Sequence, residues 1–258
     1  MDPQRGGVVT SLRNKAYPAD WIAAAHSETK TKSGTFSDTG FGGWYEMFPS
    51  IIGDLSSDHG EVWQIPWEVR KSDALGAELE VTAPSSGLKL RREIRLHSVL
   101  PEASVTYSLQ NLGNSPYEYL WAWHPLFVLN EDTSLEVEGV RGWLQVYPLT
   151  KGLESLSQDS FLGVQKGKGA KWWSQKDDHF ESICLKSESQ GVLTVRPSHN
   201  LKHIGIWVDH QQFSENPTIA VEPAIGWFDD LAIALENGTA GIVPGKKSHS
   251  WSLLLSLG

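Results

Sequence analysis

The chain has 258 residues, 40% of them hydrophobic and 21% charged, with a net charge of −9. That is the composition of an ordinary globular protein with enough length for a large core. The acidic balance disfavours nucleic acid, whose phosphates need a basic face, and no apolar run nears the roughly 18 residues of a membrane span.

The predicted elements are short strands, rich in β-branched and aromatic residues. In chain order they are Val8 to Leu12, Ala77 to Thr82, Leu88 to Leu96, Ser104 to Leu109, Tyr117 to Trp123, Ser134 to Glu138 and Trp143 to Val146. After these come Ser182 to Leu185, Val192 to Val195, Ile204 to Val208, Thr218 to Val221 and Ser250 to Leu255. Turn residues separate them, as in Pro84-Ser85-Ser86-Gly87 and Glu236-Asn237-Gly238. Alternation is clearest where Leu88, Leu90, Ile94 and Leu96 share one face and charged residues share the other. Gly152 to Ser174 reads as a long polar loop, and Asp229 to Glu236 as a helical turn or a strand. With no internal repeat to support a propeller or solenoid, the pattern predicts one all-β domain over residues 1–258, a large antiparallel β-sandwich.

The single cysteine, Cys184, excludes an intrachain disulfide and points to a reducing, cytoplasmic setting. It lies in the apolar run Ser182 to Leu185 and reads as a buried thiol. Met1 to Gly7 carries no apolar leader core. The chain has 12 tryptophans. They either fill the core of a large β-structure or offer flat faces for sugar rings to stack on.

Several clusters could carry chemistry. Asp58-His59-Gly60-Glu61-Val62-Trp63 sets an imidazole beside acids and an indole, and reads equally as a capped turn. His124 ends a hydrophobic strand just before Pro125, which cannot donate to a ladder. Glu222 ends an apolar strand just before Pro223, and a carboxylate there is costly to bury unless it is paired or used. Partial burial would raise its pKa towards the range of a general base. Arg92 sits on the apolar face of its strand and needs a carboxylate or a ligand. Asp177-Asp178-His179-Phe180 precedes another strand. The sequence has no zinc pattern, no phosphate-cradling Gly-rich loop and no Gly-x-Ser-x-Gly elbow.

Taken in order, these stretches resemble the aldose 1-epimerase (galactose mutarotase-like) family, in its shorter bacterial-type branch. Gly42 to Pro49 resembles the family's early segment, and Asp58 to Trp63 its His-Gly motif. His124-Pro125-Leu126-Phe127 resembles the His-Pro-x-Phe motif that bears the catalytic acid. Asp178-His179-Phe180 resembles the segment whose Asp binds sugar hydroxyls. Ile204 to Trp207, then Val221-Glu222-Pro223, resemble the C-terminal stretch whose Glu is the catalytic base. Tyr45 stands where an acidic residue is expected, and the Asn-Arg pair of the longer galactose mutarotases is not evident.

The resemblance implies a β-supersandwich with an open cleft on one sheet. It implies interconversion of sugar anomers by a monomer or homodimer without cofactor or metal, acting on a small-molecule sugar and not on nucleic acid or membrane. His124 would be the acid and Glu222 the base. His59, Asp178 and Arg92 would hold hydroxyls, and Trp63 or Trp207 would stack on the ring. Three alternatives stand beside it: a hexose-6-phosphate 1-epimerase of the same family, for which Arg91, Arg92 and Arg95 could supply charge, a non-catalytic carbohydrate-binding protein on the same scaffold, and a glycoside hydrolase accessory domain.

Overall fold

A computed structural model describes residues 1–25, 36, 40–52, 58–148 and 159–258, except for the side chains of 159 and 160. Among these residues there are sixteen strands: β1 (Gly43–Met47), β2 (Glu68–Asp73), β3 (Gly76–Thr82), β4 (Lys89–Leu96), β5 (Glu102–Gln110), β6 (Tyr117–Tyr119), β7 (Trp121–Val128), β8 (Ser134–Glu138), β9 (Trp143–Tyr147), β10 (Lys168–Ser174), β11 (Ser182–Ser187), β12 (Gly191–Pro197), β13 (His203–His210), β14 (Thr218–Ile225), β15 (Gly241–Val243) and β16 (Ser248–Leu257). Two short helices, α1 (Asp159–Leu162) and α2 (Leu231–Glu236), interrupt the series. No described helix is long and apolar enough to cross a membrane.

The strands form a six-stranded sheet in the order β1-β7-β14-β13-β10-β9 and an eight-stranded sheet in the order β2-β3-β4-β5-β16-β12-β11-β8. Every pairing between named strands is antiparallel, so the fold is the expected antiparallel sandwich. One apolar cluster joins the facing sides of the two sheets. Tyr107 of β5 and Trp251 of β16 meet Trp121 of β7 there, at ring separations of 4.7 and 5.0 Å. Most of the tryptophans serve this core, with Trp21, Trp44, Trp67, Trp121 and Trp123 fully buried in it.

Three expectations change. Val8 to Leu12 makes only isolated bridges at Val8 and Val9. The presumed loop after Gly152 contains α1 and β10, while 152–158 lie outside the described residues. β10 is hidden in the sequence because its cavity-side residues, Gly169, Lys171 and Trp173, interleave polar and apolar types while Ala170 and Trp172 face the core. Finally, neither His124 nor Glu222 ends a strand. β7 continues through Pro125 to Val128, and β14 through Pro223 to Ile225.

Candidate active site

The six-stranded sheet turns one face to the core and the other to a cavity. Period-2 alternation decides which residues go where. On β7 it sends Trp123 and Phe127 inward and Ala122, His124 and Leu126 outward. On β14 it sends Ile219 and Val221 inward and Ala220, Glu222 and Ala224 outward. Backbone pairing between the two strands holds at 121–122 with 224–225 and at 127–128 with 218–219, in one unchanged register. That register sets His124 directly across from Glu222. Between the two paired stretches lie Pro125 and Pro223, neither of which has an N–H to give to the ladder. His124 Nε2 and Glu222 Oε1 are 3.7 Å apart.

On the other side of Glu222, its partner in register on β13 is Gly205. A Cβ at Gly205 would stand 3.0 Å from Glu222 Oε2 and 3.5 Å from Lys171 Cε, so the missing side chain makes room for the carboxylate. Lys171, on β10, extends into that room. Its Nζ lies 2.7 Å from Glu222 Oε2 and 2.7 Å from Asp229 Oδ1, and 5.5 Å from the centre of the Trp173 ring. Asp229 is presented by the turn between β14 and α2. There Phe228 takes a left-handed φ of 84°, a conformation that costs a non-glycine residue about 1–3 kcal/mol. The next residue, Asp230, caps α2 by accepting from the backbone N–H groups of Ala232 and Ile233.

His59 approaches His124 from the segment after β1, with ring centres 5.0 Å apart and planes nearly perpendicular. Its own ring stacks on Phe36 at 3.9 Å, and its Nδ1 lies 3.0 Å from Asp58 Oδ1. The motif's glycine has a steric cause. Gly60 has φ 75°, and a Cβ there would come within 2.3 Å of the Phe48 carbonyl oxygen. Trp63 fixes the turn by donating its indole N–H to the carbonyls of Asp58 and Gly60, both at 3.1 Å.

Burial acts on the facing pair in opposite senses. Removal from water raises the Glu222 pKa, an effect opposed by the Lys171 cation and reinforced by Asp229. Removal from water lowers the His124 pKa well below the ordinary imidazole value, and the neighbouring His59 and Lys171 lower it further. For Lys171, burial alone would lower the pKa, but the Asp229 and Glu222 carboxylates outweigh it and raise it above the usual lysine value. The two carboxylates thus favour the charged form of Lys171.

His59, His124, Lys171, Glu222, Asp229 and Asp58 line a cavity of about 470 Å³. Phe36, Phe41, Leu126, Trp207, Phe213 and Tyr147 supply apolar walls. The structure thus brings four of the sequence candidates, His59, His124, Trp207 and Glu222, to one cavity. Trp63 lies behind the wall, edge-on to Phe36 at 5.3 Å. Two candidates are elsewhere. Arg92 is fully buried between Trp44 and Trp67, pairs with Glu46 at 2.9 Å and donates to the Gly7 carbonyl. Asp178 accepts from Arg141 Nε at 2.6 Å and from the Arg141 backbone N–H at 2.9 Å, outside the cavity lining. The sequence reading missed Lys171 and Asp229. Lys171 falls in the segment expected to be a loop, and Asp229 at the start of one expected to be a helical turn or a strand. Among the described residues no group of three or more His, Cys, Asp or Glu side chains is placed to hold a metal ion.

This architecture is that of the galactose mutarotase-like β-sandwich. A galactose mutarotase-like protein from Lactobacillus casei ATCC 334 superposes with a TM-score of 0.72 at 18% identity, covering 100% of this chain and 96% of that one. The Slr1438 protein from Synechocystis sp. PCC 6803 gives 0.76 at 15% identity, covering 99% and 90%. A galactose mutarotase-like protein from Clostridium acetobutylicum gives 0.70 at 16% identity, covering 99% and 90%. At these identities the likeness establishes the fold. No protein-family model and no curated protein matches the sequence.

Proposed function

We propose that the chain is an aldose 1-epimerase that interconverts the α and β anomers of an unphosphorylated sugar. The observation that carries this reading is the buried imidazole facing a buried carboxylate at 3.7 Å in an aromatic-walled cavity. Opening a pyranose requires a base on the C1 hydroxyl and an acid on the ring oxygen. Glu222, as carboxylate, takes the hydroxyl proton, and His124, as imidazolium, gives its proton to the ring oxygen as the C1–O bond breaks. The free aldehyde rotates about C1–C2 and recloses, and both protons return along the same routes. One proton is thus shared by the pair throughout, and each assisted transfer is worth roughly 10²–10⁴-fold. In this reading His59 and Asp229, which line the cavity, meet hydroxyls, and Trp207 stacks on the ring.

The cation inventory favours a neutral sugar over a hexose 6-phosphate. Among the described lining residues Lys171 is the one lysine or arginine, and both of its near neighbours are carboxylates. Arg92 is committed to Glu46, while Arg91 and Arg95 pair with Glu80 and Asp73 on the other sheet. The test is polarimetry on fresh α-anomers with wild type, His124→Gln and Glu222→Gln. Loss of acceleration in both variants supports the reading, and full activity in either one overturns it.

A further inference from the structure

Three places outside the facing pair invite a role. A groove near His203 gathers Lys176, His179 and Lys202, but Asp177 lies among them and the lysines are ordinary surface groups. The aromatic rim of Phe41, Phe213, Trp207 and Tyr147 adjoins the cavity without fixing any particular occupant. The half-buried Lys171 is different, because Glu222, Asp229, Trp173 and Gly205 build its seat.

We propose that Lys171 is a positioning residue that both aims the Glu222 carboxylate and balances the shared proton between Glu222 and His124. This rests on the epimerase reading above. The geometry is specific. Lys171 Nζ reaches Glu222 Oε2 at 2.7 Å, which leaves Oε1 as the oxygen turned towards His124. Asp229, also at 2.7 Å, holds the ammonium from the opposite side, Trp173 lies within cation–π range, and Gly205 keeps the space open. The lysine is 12% exposed at its side chain and the glutamate is fully buried, so solvent screens the contact little.

The chemistry explains why such a cation is useful. The reaction runs in both directions through the same two groups, so neither end of the proton's path should be much the more stable. Burial by itself pulls the proton onto Glu222 and away from His124. Lys171 disfavours a proton on both groups, but it touches Glu222 Oε2 directly at 2.7 Å, so it works against that bias chiefly on the carboxylate. Asp229 works in the opposite sense on Glu222 and also holds the cation. Among the described residues, the other charged or titratable groups facing the pair are His59 and, through it, Asp58.

The test is the pH dependence of kcat/KM for anomer exchange in the full chain. Lys171→Met removes a cation within contact distance, so both limbs of the profile should move up by about 1–3 pH units, the scale of one close charge. Asp229→Asn removes an anion, so they should move down. Lys171→Arg should restore most of the wild-type position. Shifts in opposite directions cannot come from a general loosening of the fold. If Lys171→Met does not fold, Lys171→Gln, which also removes the cation, decides the matter by the same upward shift or its absence. If Glu222→Gln keeps full activity, the epimerase reading itself falls. If Glu222→Gln is inactive but neither charge variant moves the profile, the epimerase reading stands and the role of Lys171 is overturned.

Discussion

His124 and Glu222 stand opposite each other on adjacent antiparallel strands, at the stretch where Pro125 and Pro223 take two donors out of the ladder between them. Register does the aligning. The pairing is intact on both sides of the gap, so the two side chains emerge on the same face with only 3.7 Å between their polar atoms. A site built on two strands of a six-stranded sheet is held more firmly than one built on loops.

The first prediction concerns space rather than charge. Gly205→Ala places a methyl 3.0 Å from Glu222 Oε2 and must push the carboxylate or Lys171 aside. Misplacement by about 1 Å at a reacting group can cost roughly 10²-fold in rate. Turnover should fall by up to about that factor while the far-ultraviolet circular dichroism spectrum stays that of the wild type.

A second prediction separates stability from catalysis. Arg92 and Glu46 form a fully buried pair, to which Trp44 and Tyr107 add hydrogen bonds at 3.0 and 2.9 Å. Removing one partner leaves the other charge uncompensated, at a cost of about 3–5 kcal/mol. Arg92→Met should lower the urea midpoint accordingly, while the protein that remains folded keeps the wild-type kcat.

The third is a linkage between pH and stability. His203 is nearly buried, and loss of hydration, aided by His179 and Lys202, lowers its pKa to about 4. An unfolded histidine titrates near 6.5, so below that pH the unfolded chain binds the extra proton and the folded chain does not. Its contribution is complete above pH ~6.5 and is lost progressively as the pH falls towards 4, amounting to about 3 kcal/mol. Denaturant melts of wild type and His203→Gln across pH 7 to 4 should converge by that amount. Parallel curves would contradict the assignment.

The fourth concerns substrate charge. A phosphate in this cavity meets Asp58, Glu222 and Asp229 with no uncommitted lysine or arginine among the described lining residues. Free hexoses should therefore be turned over with a kcat/KM at least ~10-fold above that of their 6-phosphates, a difference of about 1.4 kcal/mol or more. Parity or preference for the phosphate would contradict the proposed substrate class.

Much of the frame was legible in the sequence. Alternation in Leu88 to Leu96 and Ser134 to Glu138 marks strands because one face of each is buried and the other wet. The His-Pro and Glu-Pro pairs stood out because proline inside an apolar run marks a broken ladder. The strand register that makes those pairs neighbours is a long-range property and had no local signature. β1 and β10 were harder to see. All five residues of β1 are buried, so it lacks a solvent-facing beat, and β10 carries a lysine where a core strand would have an apolar residue. Lys171 reads as solvated in sequence, and only the fold sets it between two carboxylates. Arg92 and Asp178 show the converse. Both looked available for a ligand, and each is matched by a protein charge, Glu46 or Arg141, from a distant part of the chain.

The most direct measurement is anomer exchange by NMR magnetisation transfer between the α and β C1–H signals of a panel of free aldoses. With wild type, exchange should exceed the buffer rate for at least one sugar, and with His124→Gln or Glu222→Gln it should fall back by roughly 10²-fold or more. A wild-type protein that leaves every sugar at the buffer rate, or a Glu222→Gln variant as fast as the wild type, would contradict the account.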